Sequence, residues 1–138
     1  MTKPIFQTSF QKIVQTNHYT QFILSSKDKR FAIYTAPSAG DYVQRLFTDK
    51  PYVRPQTMDL LGSICTSLEI TPLQLILDDV KDAIYYCKLF LTQSSKDDQN
   101  IIEIDTRPSD GLSLALLYNL PVYCSQNLLD KVDQYEDE

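Results

Sequence analysis

Histidine is nearly absent from this chain of 138 residues, which carries only His18, and tryptophan is missing altogether. One imidazole leaves no Ser-His-Asp or Cys-His arrangement to assemble, and a lone histidine in an N-terminal segment reads first as a structural side chain. Glycine is scarce as well. Gly40, Gly62 and Gly111 stand far apart, which excludes a glycine-rich phosphate loop. The three cysteines, Cys65, Cys87 and Cys124, are odd in number and widely spaced, with no Cys-x-x-Cys among them. A disulfide framework or zinc site is therefore not expected, and buried free thiols in a reducing cytoplasm are. Basic charge is short too. The formal net charge is −5, whereas a protein gripping a long polyanion normally shows an excess of Lys and Arg. Only a local patch around a few arginines stays open. No apolar run approaches the roughly 20 residues that span a bilayer, and the first residues carry no apolar core of a signal peptide. A soluble, cytoplasmic protein with no membrane partner is expected.

What is present is ordinary globular material, 43% hydrophobic and 22% charged, in a length that suits one compact domain over residues 1–138. Residues 6–15 and 19–25 read as strands broken at Thr16-Asn17-His18, with a turn at 25–29 and a further strand over 30–35. Ala36-Pro37-Ser38 resembles a helix start, and that helix runs to about Phe47. After Arg54-Pro55-Gln56-Thr57, apolar residues at Met58, Leu61, Ile64, Cys65 and Leu68 give one face of an amphipathic helix, with Pro72 marking its exit. Leu73, Leu75 and Leu77 alternate as a strand, and residues 78–82 read as a charged turn. The stretch 83–93 is apolar on both faces, so it reads as a central strand. Its Tyr85 and Tyr86 should point to opposite sides. A polar turn over 94–100 and a strand over 101–106 complete a hairpin. Residues 108–118 form a helix apolar nearly all round, which belongs inside the protein or under an oligomer interface. A short strand over 121–124, a short helix over 127–132 and an acidic tail over 133–138 that frays into solvent follow. Hairpins interleaved with helices predict an α+β fold: a mixed, largely antiparallel sheet with helices packed on it. The two-faced strand and the apolar helix also predict a homo-oligomer, a dimer, because so small a domain has few layers to cover both.

Two segments carry chemistry. The first is Arg54-Pro55-Gln56-Thr57-Met58-Asp59-Leu60-Leu61. The second is Ile104-Asp105-Thr106-Arg107-Pro108-Ser109-Asp110-Gly111, followed by a leucine-rich helix and Pro121-Val122-Tyr123. Each sets Arg-Pro before a helix and an Asp in its first turn. Arg54 and Arg107 suit bidentate grip on phosphate oxygens, and Ser109 can add a hydroxyl. Asp59, Asp105 and Asp110 are candidate catalytic carboxylates and oxygen ligands for Mg²⁺ or Mn²⁺, which would activate water. The site then lies where the two helix starts meet the strand end at Asp105. The same residues explain themselves structurally, as Pro at the first helical position, carboxylates against the helix dipole and Arg–Asp pairs. Both readings stand at this point.

Together the segments resemble the bifunctional nuclease domain (DUF151) family over roughly residues 31–132, most firmly from Arg54 onward. The resemblance implies nuclease activity on RNA or DNA, a phosphodiester hydrolase. The alternative is a non-catalytic oligomeric interaction or regulatory module that retains the family fold. The sequence departs from the family pattern at Met58, where members usually carry His; around Tyr34–Asp41, which replaces a Gly followed by an acidic-Ala pair; and at Gly111, where Ala is favoured.

Overall fold

The computed structural model describes residues 4–48, 52–94 and 99–137. The elements run β1 (Ile5–Gln15), β2 (Thr20–Ser26), β3 (Lys29–Thr35), α1 (Pro37–Leu46), α2 (Thr57–Ser67), β4 (Ile70–Lys81), β5 (Ile84–Ser94), β6 (Gln99–Thr106), α3 (Pro108–Tyr118), β7 (Val122–Ser125) and α4 (Gln126–Lys131). The strands form one seven-stranded sheet in the order β3-β2-β1-β7-β4-β5-β6. Every pairing is antiparallel except β4 with β7, which is parallel. This is the α+β, mixed and largely antiparallel arrangement expected from the hydrophobic periods. No helix among the described residues is long and apolar enough to cross a membrane.

The alternating strand residues build the core. Leu75 and Leu77 of β4, Cys87, Leu89 and Leu91 of β5, and Phe22, Leu24, Phe31 and Ile33 of β2 and β3 join one buried cluster with Val43 of α1 and Leu112 and Ala115 of α3. Each aliphatic side chain so buried contributes about 1.5–3 kcal/mol. The α3 residues Gly111, Leu112, Ser113 and Ala115 are buried, with Leu114 and Leu116 packed partly against the same cluster. The helix apolar all round therefore belongs inside the protein. Tyr85 and Tyr86 do lie on opposite sides, one half-buried and the other exposed.

Four local expectations need correction. Residues 78–82 are not a turn, because β4 continues to Lys81. Its charges are tolerated in a strand because they are paired: Asp79 with Lys131 at 2.7 Å and Asp78 with Lys88 at 3.6 Å. The turn is the two residues Asp82 and Ala83, both at positive φ, the twist that joins adjacent antiparallel strands. Pro72 follows the exit of α2 at Ser67 but does not mark it: it lies within β4, at a register shift between Pro72 and Gln74, where a bulge accommodates the missing amide. Of the residues expected to form the inner face of α2, Leu61, Ile64 and Leu68 are exposed, and the helix buries only Gly62. Finally, the acidic tail does not fray through Asp137. The Tyr135 amide donates to the Arg30 carbonyl at 2.8 Å, and the Arg30 amide donates to Gln134 Oε1 at 3.2 Å. Asp137 joins Lys12 at 2.8 Å and Arg30 at 3.3 Å. The tail thus covers the outer edge of β3, an edge otherwise open to pairing with another chain. Part of the polar turn expected over 94–100 lies outside the described residues, while Gln99 and Asn100 already belong to β6.

Two contacts fix the helices that matter below. The buried Thr20 hydroxyl donates to the Pro37 carbonyl at 3.1 Å and accepts from the Gly40 amide at 3.0 Å, pinning the first turn of α1 to β2. A side chain at Gly40 would lie 2.5 Å from that oxygen. On the other side of α1, the Tyr42 phenol donates to Asp59 Oδ1 at 2.8 Å, while Asp59 Oδ2 accepts from the Gln56 amide at 2.8 Å. One carboxylate therefore caps α2 and ties it to α1.

Gly40→Ala is expected to destabilise the fold by about 1–3 kcal/mol through overpacking, and by less in a Thr20→Ala background, as measured by denaturant unfolding. For the second contact, Tyr42→Phe and Asp59→Ala should each destabilise. Their double-mutant cycle should return a coupling of about 1.5–3 kcal/mol, the range for a hydrogen bond to a charged group. A coupling near zero would remove this link from the account.

Candidate functional site

A helix start leaves its first amides without intrahelical partners and carries partial positive charge. Three of the four helices bring their starts to one cleft of about 330 Å³. It is lined by Ala36, Ser38 and Ala39 at α1, Gln56, Thr57 and Met58 at α2, and Arg107, Ser109 and Asp110 at α3, with Tyr42 and Ser113 completing the wall. α1 and α3 begin alike, with an extended residue and then Pro inside the first turn, and neither carries a side-chain cap. α2 is capped by Asp59, whose carboxylate is turned to the Gln56 amide and the Tyr42 phenol.

Charge in the cleft comes from one pair. Arg107 Nε donates to Asp110 Oδ2 at 2.8 Å, and the arginine side chain is 79% exposed against 30% for the aspartate. The carboxylate raises the Arg107 pKa above its ordinary value. Ser109 lies between the two, and its carbonyl accepts from the Ser113 hydroxyl at 2.7 Å. Tyr42 titrates well above the usual phenol range, first because it is buried and then because Asp59 accepts its hydrogen bond.

The residues singled out in the sequence separate into three groups. Arg107, Ser109 and Asp110 share the cleft. Arg54 lines an adjoining groove of about 340 Å³ with Tyr42, Tyr52, Pro55, Asp59 and Ser63. Tyr42 therefore stands between the two spaces, its ring stacked on Tyr52 at 6.4 Å between centroids. Asp105 lies exposed on β6, opposite Lys88 and outside the cleft. Behind it the buried Cys87 thiol is pushed up to about 12, chiefly by burial and then by Asp105 and Asp78, so it stays protonated and unreactive. Cys65 and Cys124 are free as well. Among the described residues no three His, Cys, Asp or Glu side chains are gathered to hold a metal ion. Asp59 has both oxygens engaged, and Asp110 is the one candidate carboxylate on the cleft wall. His18 is exposed in the β1–β2 turn, away from the cleft. Met58, where the family pattern has His, does line it.

The starts of α2 and α3 line one cleft, and α1 rather than the strand end at Asp105 forms its third side, while Arg54 and Pro55 lie in the adjoining groove. Ser38, Tyr42, Gln56 and Ser113 were not foreseen. A signal existed for the first: Ala36-Pro37-Ser38 repeats the helix-start pattern of Arg107-Pro108-Ser109. Periodicity could not tell that the two starts come together on one cleft.

No curated protein matches the chain significantly. The bifunctional nuclease domain model matches residues 22–137, from within β2 to the end of the packed tail and beyond both limits of the sequence resemblance. With nearly the whole chain matched and an α+β sheet carrying the starts of α2 and α3 on one cleft, the protein belongs to the bifunctional nuclease domain family.

Proposed function

We propose that the chain hydrolyses phosphodiester bonds of RNA or DNA in the cleft at the three helix starts. The observation that carries this reading is the convergence of those starts, two of them without a side-chain cap, beside an exposed arginine. The helix dipoles and the first amides of α3, with less from α1, whose Gly40 amide is taken by Thr20, favour an anion there. Family membership supports a nucleic-acid phosphate as that anion.

The chemistry follows from what is free to move. A solvent-exposed ion pair such as Arg107–Asp110 contributes only about 0–1 kcal/mol, so an incoming phosphate competes well for the guanidinium and takes it with two parallel hydrogen bonds. The Ser109 hydroxyl adds a third donor. Arg54, across Tyr42, is placed for a neighbouring phosphate of the same strand. Once Arg107 has turned, the Asp110 carboxylate is released to orient a water and take its proton as the water oxygen attacks phosphorus. The P–O bond to the leaving oxygen breaks, and that oxygen collects a proton from solvent. Asp59 acts through position: it holds the α2 start against α1. Mg²⁺ or Mn²⁺ would be held by Asp110. Mg²⁺ keeps several waters and takes one or two carboxylates together with substrate phosphates, so a cation arriving with nucleic acid fits this wall better than one resident in a protein cage. When bound it would further neutralise the phosphate.

Purified protein with labelled single-stranded RNA and duplex DNA, each with and without Mg²⁺ or Mn²⁺, tests the reading. Cleavage is expected. Asp110→Ala should lower kcat by about 10²–10⁴-fold, the usual worth of a positioned base, and Arg107→Ala should weaken substrate binding, both with an unchanged unfolding midpoint. No cleavage by the parent chain under any metal would overturn it. That result would leave a non-catalytic module, a reading favoured by Met58 standing on the cleft wall. Met58→His places an acid–base group of ordinary pKa about 6.5 in the cleft; cleavage should rise, with a new inflection in the pH–rate profile near that value. An unaltered profile would show that position 58 takes no part in the reaction.

A further inference from the structure

A second cavity, of about 470 Å³, lies away from the cleft and shares no residue with it. Its walls are Ala32 and Tyr34 of β3, Val80 and Tyr85 of the β4–β5 hairpin, and the segment from the end of α4 through Asp133 to Tyr135. That volume is in the range of small-molecule sites, about 300–1,000 Å³. Three tyrosines line the cavity, and each is held. Tyr34 stands 60% exposed on its edge strand. Yet Gln21 Nε2 donates to its hydroxyl at 2.8 Å, and the Tyr19 ring meets it edge to face with centroids 5.1 Å apart. An exposed aromatic side chain fixed in this way needs little ordering when something binds. Tyr85 is half-buried, and its phenol titrates above the usual range, first from burial and then from the Asp133 carboxylate. The Tyr135 amide is tied to the Arg30 carbonyl. Its ring already faces two cations, Arg30 at 5.4 Å and Lys12 at 5.9 Å. Among the described residues no cation lies over Tyr34 or Tyr85.

Charge in the cavity has one sign to spare. Lys131 is on its wall, but the ammonium donates to Asp79 at 2.7 Å and is neutralised there. Asp133 has no ion-pair partner among the described residues. We propose that this cavity binds a small organic cation, an alkylated ammonium of the choline class, with its charged head among the Tyr34 and Tyr85 rings and beside Asp133. The face of an aromatic ring attracts a cation through its quadrupole. A quaternary ammonium has no N–H to donate, so rings and a nearby carboxylate are what recognise it. Other ligands fit the lining less well. A phosphate or nucleotide would meet Asp133 and no cation that is not already paired. A hard metal ion needs several oxygen ligands and gains little from two rings. The chain's net charge of −5 also draws cations toward it. Because Asp133 and Tyr135 belong to the tail, a bound cation would fasten the tail over β3. This assignment is independent of the nuclease reading, since the two spaces have no residue in common.

Calorimetric titration of the full chain with choline tests it, beside a titration with the neutral isostere in which a tert-butyl group replaces the trimethylammonium. Saturable choline binding is expected, with the isostere weaker by at least about tenfold. Tyr34→Ala should weaken choline binding by a similar factor, whereas Tyr34→Phe keeps the ring and should keep the affinity. Tyr34 is exposed, so the unfolding midpoint of either variant should stay near that of the parent. Asp133→Asn should weaken binding of choline and leave the isostere unmoved. Hydrogen exchange gives a second readout that needs no variant: saturating choline should slow exchange of the Tyr135 amide, because the tail forms one wall of the site. No saturable binding of choline, equal affinity for the isostere, or an affinity unmoved by Tyr34→Ala would each overturn the assignment. Exchange at Tyr135 unaltered by bound choline would do so too, since it would place the cation elsewhere.

Discussion

The carboxylate of Asp59 serves two helices at once, accepting from the Tyr42 phenol on α1 and from the Gln56 amide ahead of α2. The arrangement of the site depends on that sharing. α1 is pinned independently to β2 through Thr20, and α3 is set on β4 and β5 by the buried cluster around Leu112. α2 packs on β4 through its inner side, with Met58 against the core and Gly62 against Tyr118, while its outward residues stay outside the core. The Asp59 link is what ties its first turn to α1. A capping residue is thus also a positioning residue, and a structural role for Asp59 does not compete with a functional one.

Such double duty explains which parts of the molecule could be read from the chain. Strand and helix positions followed from local periodicity, because alternation in β4 and an all-round apolar pattern in α3 reflect burial that any compact fold must provide. The starts of α2 and α3, two sides of the cleft, were legible for a similar reason: a proline at or just ahead of a helix start and an acid in its first turn are local signals. The third side was not legible as a site. Pro37-Ser38 was recognisable as a helix start, but its approach to Arg107 is set by strand order, with β1, β2 and β7 inserted between distant parts of the chain. The tail was misread for the matching reason. Acidic residues at a terminus predict solvation unless cations wait for them, and Lys12 and Arg30 lie more than a hundred residues away in sequence.

α2 shows a different kind of failure. Its apolar residues were expected to face inward because an isolated helix with such a stripe must bury it somewhere. The structure leaves Leu61, Ile64 and Leu68 exposed instead. Gly62, the smallest residue on the helix, is the one that enters, since only a bare backbone can approach Tyr118. Hydrophobic periodicity marks which residues share a side of the helix, and close approach of backbones decides which side packs.

The cleft wall and these exposed residues belong to one element. The first turn of α2 supplies Gln56, Thr57 and Met58 to the cleft wall, and the flank a turn or two later carries Leu60, Leu61, Ile64 and Leu68 outward. Held by one buried glycine, three half-buried neighbours and a shared carboxylate, α2 is lightly attached for an element that lines a third of the candidate cleft. A helix held more firmly presents its first amides to an anion with less ordering left to do on binding. The Asp59 carboxylate therefore bears on the cleft through the stiffness of the helix it caps, without touching anything that would bind there.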